Sequence, residues 1–156
     1  MSKILKLQNQ TIAELLEAAR AHNTALRKND IKLILATAYK QEEISRKLID
    51  QDKRREATQK KLADKYGLGG QPTLNMLLSH ASEITARELD KLSRSLKASL
   101  TQVDEMKNLN NILARRGLIM TEQLMRILRP KSGSTYMGSG KMKDRGKLLS
   151  VLDRTI

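Results

Sequence analysis

Apolar residues recur at alternating steps of three and four along two long segments of this chain. The first segment runs from about residue 9 to residue 66 and is interrupted at Asn29-Asp30, where Asp30 suits the N-cap of a new helix. The second begins near residue 83 and ends at Arg129-Pro130, because proline disfavours helix in the residue before it. This spacing places the apolar side chains on one stripe of each helix, so it predicts several long helices.

The stripe of the first segment is apolar at both ends and polar in the middle. We expect its polar part either at a wet end of a bundle or where no partner helix packs. Its members are Ile12, Leu15, Ala19, Leu26, Ile31, Ile34, Ala38, Gln41, Ser45, Leu48, Asp52, Arg55, Gln59, Leu62 and Tyr66.

The stripe of the second segment is apolar with few interruptions. Glycine in mid-helix costs about 1 kcal/mol relative to alanine, so Gly117 implies either a close helix approach or a kink. The stripe comprises Leu89, Leu92, Leu96, Ser99, Val103, Met106, Asn110, Leu113, Gly117, Met120, Leu124 and Ile127.

A glycine-rich link separates the two segments and permits them to fold back on each other. Gly67 suits a helix end, Gly69-Gly70 is flexible, and Pro72 leads into a short apolar helix at 74–78. Folding at this link buries both stripes, so we predict an all-α, antiparallel bundle of three to four long helices over residues 1–130. A parallel coiled-coil dimer is the alternative.

The tail, residues 131–156, has a different composition. It is rich in Gly, Ser and Lys and lacks periodicity, so we expect it to be mobile and flexible. It ends in a short amphipathic segment with Leu148, Leu149 and Leu152 on one face. Residues 126–156 carry 8 basic and 2 acidic side chains, so the tail is the most basic part of a chain whose net charge is +13.

Composition restricts the class of protein further. Hydrophobic residues make up 39% of the chain, with no Phe and no Trp, which favours a thin core of Leu, Ile, Ala and Met. The absence of Cys excludes disulfides and thiolate metal sites. No apolar run is long enough to span a membrane, and none near the start resembles a signal peptide, so we expect no membrane insertion and a cytoplasmic location.

Catalysis finds little support in the sequence. His22 lies on the apolar stripe, where a half-buried, hydrogen-bonded histidine is the expected role, and His80 lies near a helix end. The tail sequence Gly138–Lys141 resembles the end of a phosphate-binding loop, but Met142 stands where that motif needs Ser or Thr. We therefore expect no enzymatic activity, no cofactor, no metal and no small-molecule substrate.

Nucleic-acid binding is the main alternative function suggested by the charge. Lys53-Arg54-Arg55 and Lys60-Lys61 crowd one helix, and such cations contact phosphates. However, Glu56 and Asp64 interrupt these runs, aromatic stacking residues are nearly absent, and no DNA-docking motif is present. Nucleic acid is thus the less favoured partner, and a coiled-coil structural protein is a further alternative.

Two stretches resemble the FlgN-type export chaperones of the bacterial flagellum. The first, Lys28–Leu68, has an acidic start, a Lys-Gln pair, a basic pair and a Gly-Leu end. The second, Asn108–Gly140, carries an Asn-rich helical turn, an apolar stretch and a C-terminal Tyr…Gly element in the family's order. The residues that carry the resemblance are Lys40-Gln41, Arg54-Arg55, Asn108, Asn110, Asn111, Gly117-Leu118-Ile119 and Tyr136.

The resemblance implies a cytosolic helical bundle that binds flagellar hook-associated proteins before secretion and passes them to the cytosolic domain of the export gate. It implies that Tyr136 contacts the gate. It also implies that the client is gripped by the C-terminal part of the chain, here Leu124, Ile127, Leu128, Leu148, Leu149 and Leu152. From the residues alone, two alternatives stay open: Tyr136 as an ordinary loop residue, and the tail leucines packed on the chain's own bundle.

Overall fold

The computed structural model describes residues 1–68 and 73–128, with the backbone alone of Asn75. These residues form four helices and no strand, which confirms the all-α prediction. The helices are α1 (Ser2–Lys28), α2 (Ile31–Lys65), α3 (Leu74–Leu78) and α4 (Glu83–Leu128). Three of them are long, and α3 is little more than one turn.

The ends of α1 and α2 follow the predicted capping residues. Asn29 ends α1 in the left-handed conformation, and the Asp30 carboxylate accepts a hydrogen bond from the Leu33 N–H at 3.0 Å to begin α2. Gly67 ends α2 with φ of 65°, and the Leu68 N–H then donates to the Ala63 carbonyl at 2.9 Å. This is the Schellman arrangement, in which glycine accepts a positive φ without strain.

The start of α1 differs from the prediction. The helix begins at Ser2 rather than near residue 9. Leu5 and Gln8 are both buried in the bundle, so the first two turns are held by packing that the stripe pattern did not reveal.

Helices α1 and α2 form an antiparallel hairpin at the Asn29-Asp30 turn. Along α1, Gln8 Nε2 donates to Asp52 Oδ1 at 3.3 Å, and further on His22 Nδ1 lies 2.8 Å from Thr37 Oγ1. The residue numbers of the bonded partners decrease along α2 as they increase along α1, so the two helices run in opposite directions.

Helix α4 packs on α1 in the same direction. Lys6 Nζ lies 2.6 Å from Glu88 Oε1, and Asn9 Nδ2 donates to the Leu92 carbonyl at 3.1 Å. Hydrogen bonding to Lys6 lowers the pKa of the Glu88 carboxyl. Helix α1 therefore contacts both other long helices, which confirms the prediction of a bundle of long helices.

The interior is thin and partly polar. The polar middle of the first stripe has a partner helix, because the half-buried Asp52 accepts a hydrogen bond from Gln8 Nε2 of α1. The neighbouring residue of α2 lies deeper. Gln51 is buried and its Nε2 donates to Thr11 Oγ1 of α1 at 2.8 Å. The buried apolar residues are few and often small: Leu5, Ile12, Leu16, Ala18, Ala19, Ala25, Ile44, Ala63, Leu77 and Leu89.

Gly117 lies within the uninterrupted helix α4. A Cβ built at this position would meet no atom within 4 Å, so the close helix approach considered for it is wrong. The chain separates into two compact units at this residue, Met1–Gly117 and Leu118–Ile156. The boundary predicted at residue 130 and the tail 131–156 lie outside the described residues, and that division stays a prediction.

The Thr11–Gln51 contact gives a test of the polar interior. We predict that Thr11→Val costs about 1–3 kcal/mol of unfolding free energy, because it leaves the buried Gln51 amide without its acceptor. Adding Gln51→Leu should restore most of that loss, since both partners are then apolar. Urea unfolding of the four proteins of this cycle measures the coupling, and additive costs would contradict a paired contact.

Candidate functional site

The apolar stripe of α4 faces α1 over only part of its length. We call the stripe positions of α4 that are buried or half-buried the seam: Leu89, Leu92, Leu96, Ser99, Val103, Met106, Asn110 and Leu113. Near its end, Asn110 is buried between two groups of α1. Its Nδ2 donates to the Ala19 carbonyl at 2.9 Å, and its Oδ1 accepts from Asn23 Nδ2 at 2.8 Å.

These two hydrogen bonds fix how far along α4 the partner helix reaches. Helix α1 ends at Lys28, shortly after Asn23. At ~1.5 Å per residue, and with both helices running in the same direction, that end lies level with about residue 115 of α4. From Ala114 to Gly117 every side-chain position is exposed. The seam thus ends where α1 ends.

The described part of the second unit, Leu118–Leu128, is exposed throughout and strongly apolar. At 100° per residue, six large apolar residues fall on one half of the helix, with Ile119, Glu122, Gln123 and Arg126 on the other. We call this half the terminal apolar face. It consists of Leu118, Met120, Leu124, Met125, Ile127 and Leu128.

The terminal apolar face keeps the spacing of the seam. Met120, Leu124 and Ile127 continue the three- and four-residue steps that end at Leu113. Leu124, Ile127 and Leu128 are 49%, 78% and 73% exposed, and burial of each side chain is worth about 1.5–3 kcal/mol. A contiguous exposed apolar surface of this kind is typical of an interaction site.

The residues predicted to bind a client fall into two groups. Leu124, Ile127 and Leu128 lie together on the terminal apolar face. Leu148, Leu149, Leu152 and Tyr136 lie outside the described residues, so their roles stay predictions.

Sequence reasoning did not assign Leu118, Met120 and Met125 to the client site, although all three lie on this face. The stripe spacing was the signal for Met120. Nothing in that spacing pointed to Leu118 or Met125, which lie beside the stripe.

The histidines have structural partners. His22 is half-buried and contacts the Thr37 hydroxyl, as the sequence analysis expected. The His80 ring stacks on Tyr66 with ring centroids 5.3 Å apart. Within residues 1–68 and 73–128, no group of three or more His, Asp or Glu side chains is placed to hold a metal ion.

The basic surface of α2 is smaller than the sequence suggested. Arg55 is turned towards the interior, where Nε donates to Asp52 Oδ1 at 2.8 Å and Nη1 donates to Gln59 Oε1 at 3.0 Å. The exposed cations Lys53, Arg54 and Lys60 remain on the outside. The triple basic run therefore does not form one continuous phosphate-binding surface.

Together these features define an all-helical bundle protein that presents an apolar helix face at one end of its longest helix. A protein-family model described as FlgN protein matches residues 1–144 of the 156-residue chain. The chain therefore belongs to the FlgN family, a family of flagellar export chaperones and not of enzymes. No curated protein and no solved structure matches it. None of the helices in the described ranges has the length and apolarity required to cross a membrane.

The exposure of the terminal apolar face predicts its role in stability. Replacing Leu124, Ile127 and Leu128 together by Gln, a good helix former, should change the unfolding free energy by no more than about 0.5 kcal/mol. Leu89→Ala, in the buried seam, should cost about 2–5 kcal/mol. Urea unfolding followed by circular dichroism measures both, and a similar loss for the two variants would show that the face is buried in solution.

Proposed function

We propose that this chain is a cytosolic export chaperone for flagellar hook-associated proteins, the proteins of the hook–filament junction, and that it delivers them to the cytosolic domain of the export gate. Membership of the FlgN family supports the chaperone role. The observation that carries the client-binding part is the terminal apolar face, a large apolar surface uncovered within the described structure.

The spacing of this face indicates the kind of ligand it suits. Because Met120, Leu124 and Ile127 repeat the steps of the seam, an amphipathic helix of the client packs on them as α1 packs on the seam. Met120 and Met125 are flexible and polarisable, so they adapt to clients of somewhat different shape. Covering an apolar helix of the client also keeps it from aggregating before secretion.

The tail supplies the second part of the proposed mechanism. By the family resemblance, Leu148, Leu149 and Leu152 close over the bound client helix, and Tyr136 contacts the export gate. The tail follows directly in the chain after the terminal apolar face, so one region serves both client and gate. No cofactor and no small-molecule substrate take part.

Client binding is tested by isothermal titration of the full chain with a purified hook-associated protein. We expect a stoichiometric complex with the unchanged chain. The triple variant Leu124→Gln, Ile127→Gln, Leu128→Gln should bind at least about 100-fold more weakly, because three large apolar contacts are lost. Leu148→Asp, Leu149→Asp, Leu152→Asp should likewise abolish the complex while helicity is kept.

The matched control is Ile84→Gln. Ile84 is 84% exposed and lies on the same helix, but at its opposite end. This variant should bind the client as the unchanged chain does. Unchanged affinity of the Leu124, Ile127 and Leu128 variant would remove the terminal apolar face from the proposal, and equal weakening by Ile84→Gln would show a non-specific apolar effect.

Gate binding should separate from client binding. We predict that Tyr136→Ala reduces binding of the chaperone–client complex to the purified cytosolic domain of the export gate at least about tenfold, since an anchoring aromatic side chain is typically worth 2 kcal/mol or more. Affinity for the client should not change. Tyr136→Phe is the control that keeps the aromatic ring. If Tyr136→Ala left gate binding unchanged, the proposed contact of Tyr136 with the gate would be contradicted.

A further inference from the structure

A second apolar surface lies on α2, in the first unit. Ile31, Leu35 and Tyr39 are spaced four residues apart, so they lie within about 80° of one another around the helix. All three are exposed, Tyr39 by 71%. We call these three residues the outer stripe.

The outer stripe faces away from the bundle interior. The buried residues of this half of α2, Thr37 and Ile44, lie roughly 160–180° away around the helix at ~100° per residue. The outer stripe therefore lies away from the face of α2 that packs on α1. Leucine and isoleucine are not needed on a solvated helix face, and large aromatic residues such as Tyr39 are enriched at the centres of protein interfaces.

Unpaired cations border one end of the outer stripe. Arg27 and Lys28 close α1 at the tight turn before Ile31, and Lys32 lies on α2 beside the stripe. All three are exposed and form no ion pair with any described residue. The acidic residue of the turn, Asp30, is engaged as the cap of α2.

Charges at the other end of the outer stripe are matched within α2. The Glu43 carboxylate lies 2.7 Å from Lys47 Nζ and 3.8 Å from Lys40 Nζ. Likewise, Glu42 Oε1 lies 2.6 Å from Arg46 Nη2. Around the outer stripe, the unpaired positive charge therefore lies at the end near the α1–α2 turn. A partner that covers the stripe meets apolar side chains with three unmatched cations at one side.

We infer that the outer stripe is a docking site for an acidic amphipathic helix of a partner protein, separate from the terminal apolar face. Charge complementarity selects this occupant. A second copy of the chain would bring the same cations together if packed in parallel, and if packed antiparallel it would offer only Glu42 and Glu43, which are already paired within α2. The chain's own C-terminal region, with 8 basic and 2 acidic side chains in residues 126–156, has the wrong sign. Leu or Ile residues of the partner cover the stripe, and its Asp or Glu residues pair with Arg27, Lys28 and Lys32.

The test uses the full chain and two synthetic, fluorescein-labelled helical peptides. One carries leucines at three- and four-residue steps flanked by glutamates, and the other carries lysines in place of the glutamates. Fluorescence anisotropy at low salt should show binding of the glutamate peptide alone. Its affinity should fall as salt rises, because surface charges are screened.

Three variants locate the binding. The triple variant with Ile31→Gln, Leu35→Gln and Tyr39→Gln should bind the glutamate peptide at least tenfold more weakly. The triple variant with Arg27→Gln, Lys28→Gln and Lys32→Gln should also bind the glutamate peptide more weakly, and its affinity should depend less on salt concentration. Ile84→Gln, which changes an exposed apolar residue on α4 and not on α2, is the control and should bind normally.

Several results would overturn the inference. The first is that the unchanged chain does not bind the glutamate peptide. The second is that the Ile31, Leu35 and Tyr39 variant binds this peptide as tightly as the unchanged chain does. The third is that the unchanged chain sediments as a dimer and this variant as a monomer. If only the Leu124, Ile127 and Leu128 variant lost affinity for the peptide, the binding site would be the terminal apolar face and not the outer stripe. Because hook-associated clients are measured separately, failure here leaves the client experiment unaffected.

Discussion

The buried amide of Asn110 sets the register of the longest helix, and the rest of the structure depends on that register. Its side chain is hydrogen-bonded on both sides to α1, at the Ala19 carbonyl and at Asn23. A slip of one helical turn, about 5.4 Å, would bury the amide without partners. A single polar residue in an apolar helix interface is a known way of fixing register at some cost in stability.

From this register follows the division of α4 into a packed and an uncovered part. The seam is covered as far as α1 extends, and beyond it the same spacing continues with exposed Met120, Leu124 and Ile127. Within the described residues, no side chain from Leu118 to Leu128 is buried.

The fold follows closely from local signals in the sequence. The Asp30 cap and Gly67 place the ends of α2 correctly, because caps are determined by neighbours in the chain, whereas the spacing missed the first two turns of α1. The burial of Gln51 against Thr11 could not be predicted, since it requires knowing which residues of two helices lie opposite each other. Likewise, the spacing shows that Leu113 and Leu124 share a face but not that the partner helix ends between them.

Amide hydrogen exchange along α4 in the isolated protein tests this account most directly. The account predicts strong protection of the seam amides from Leu89 to Leu113, and a sharp fall in protection before Leu118 that persists to Leu128. Protection continuing at the level of the seam through Leu128 would contradict it, because the terminal apolar face would then already be covered.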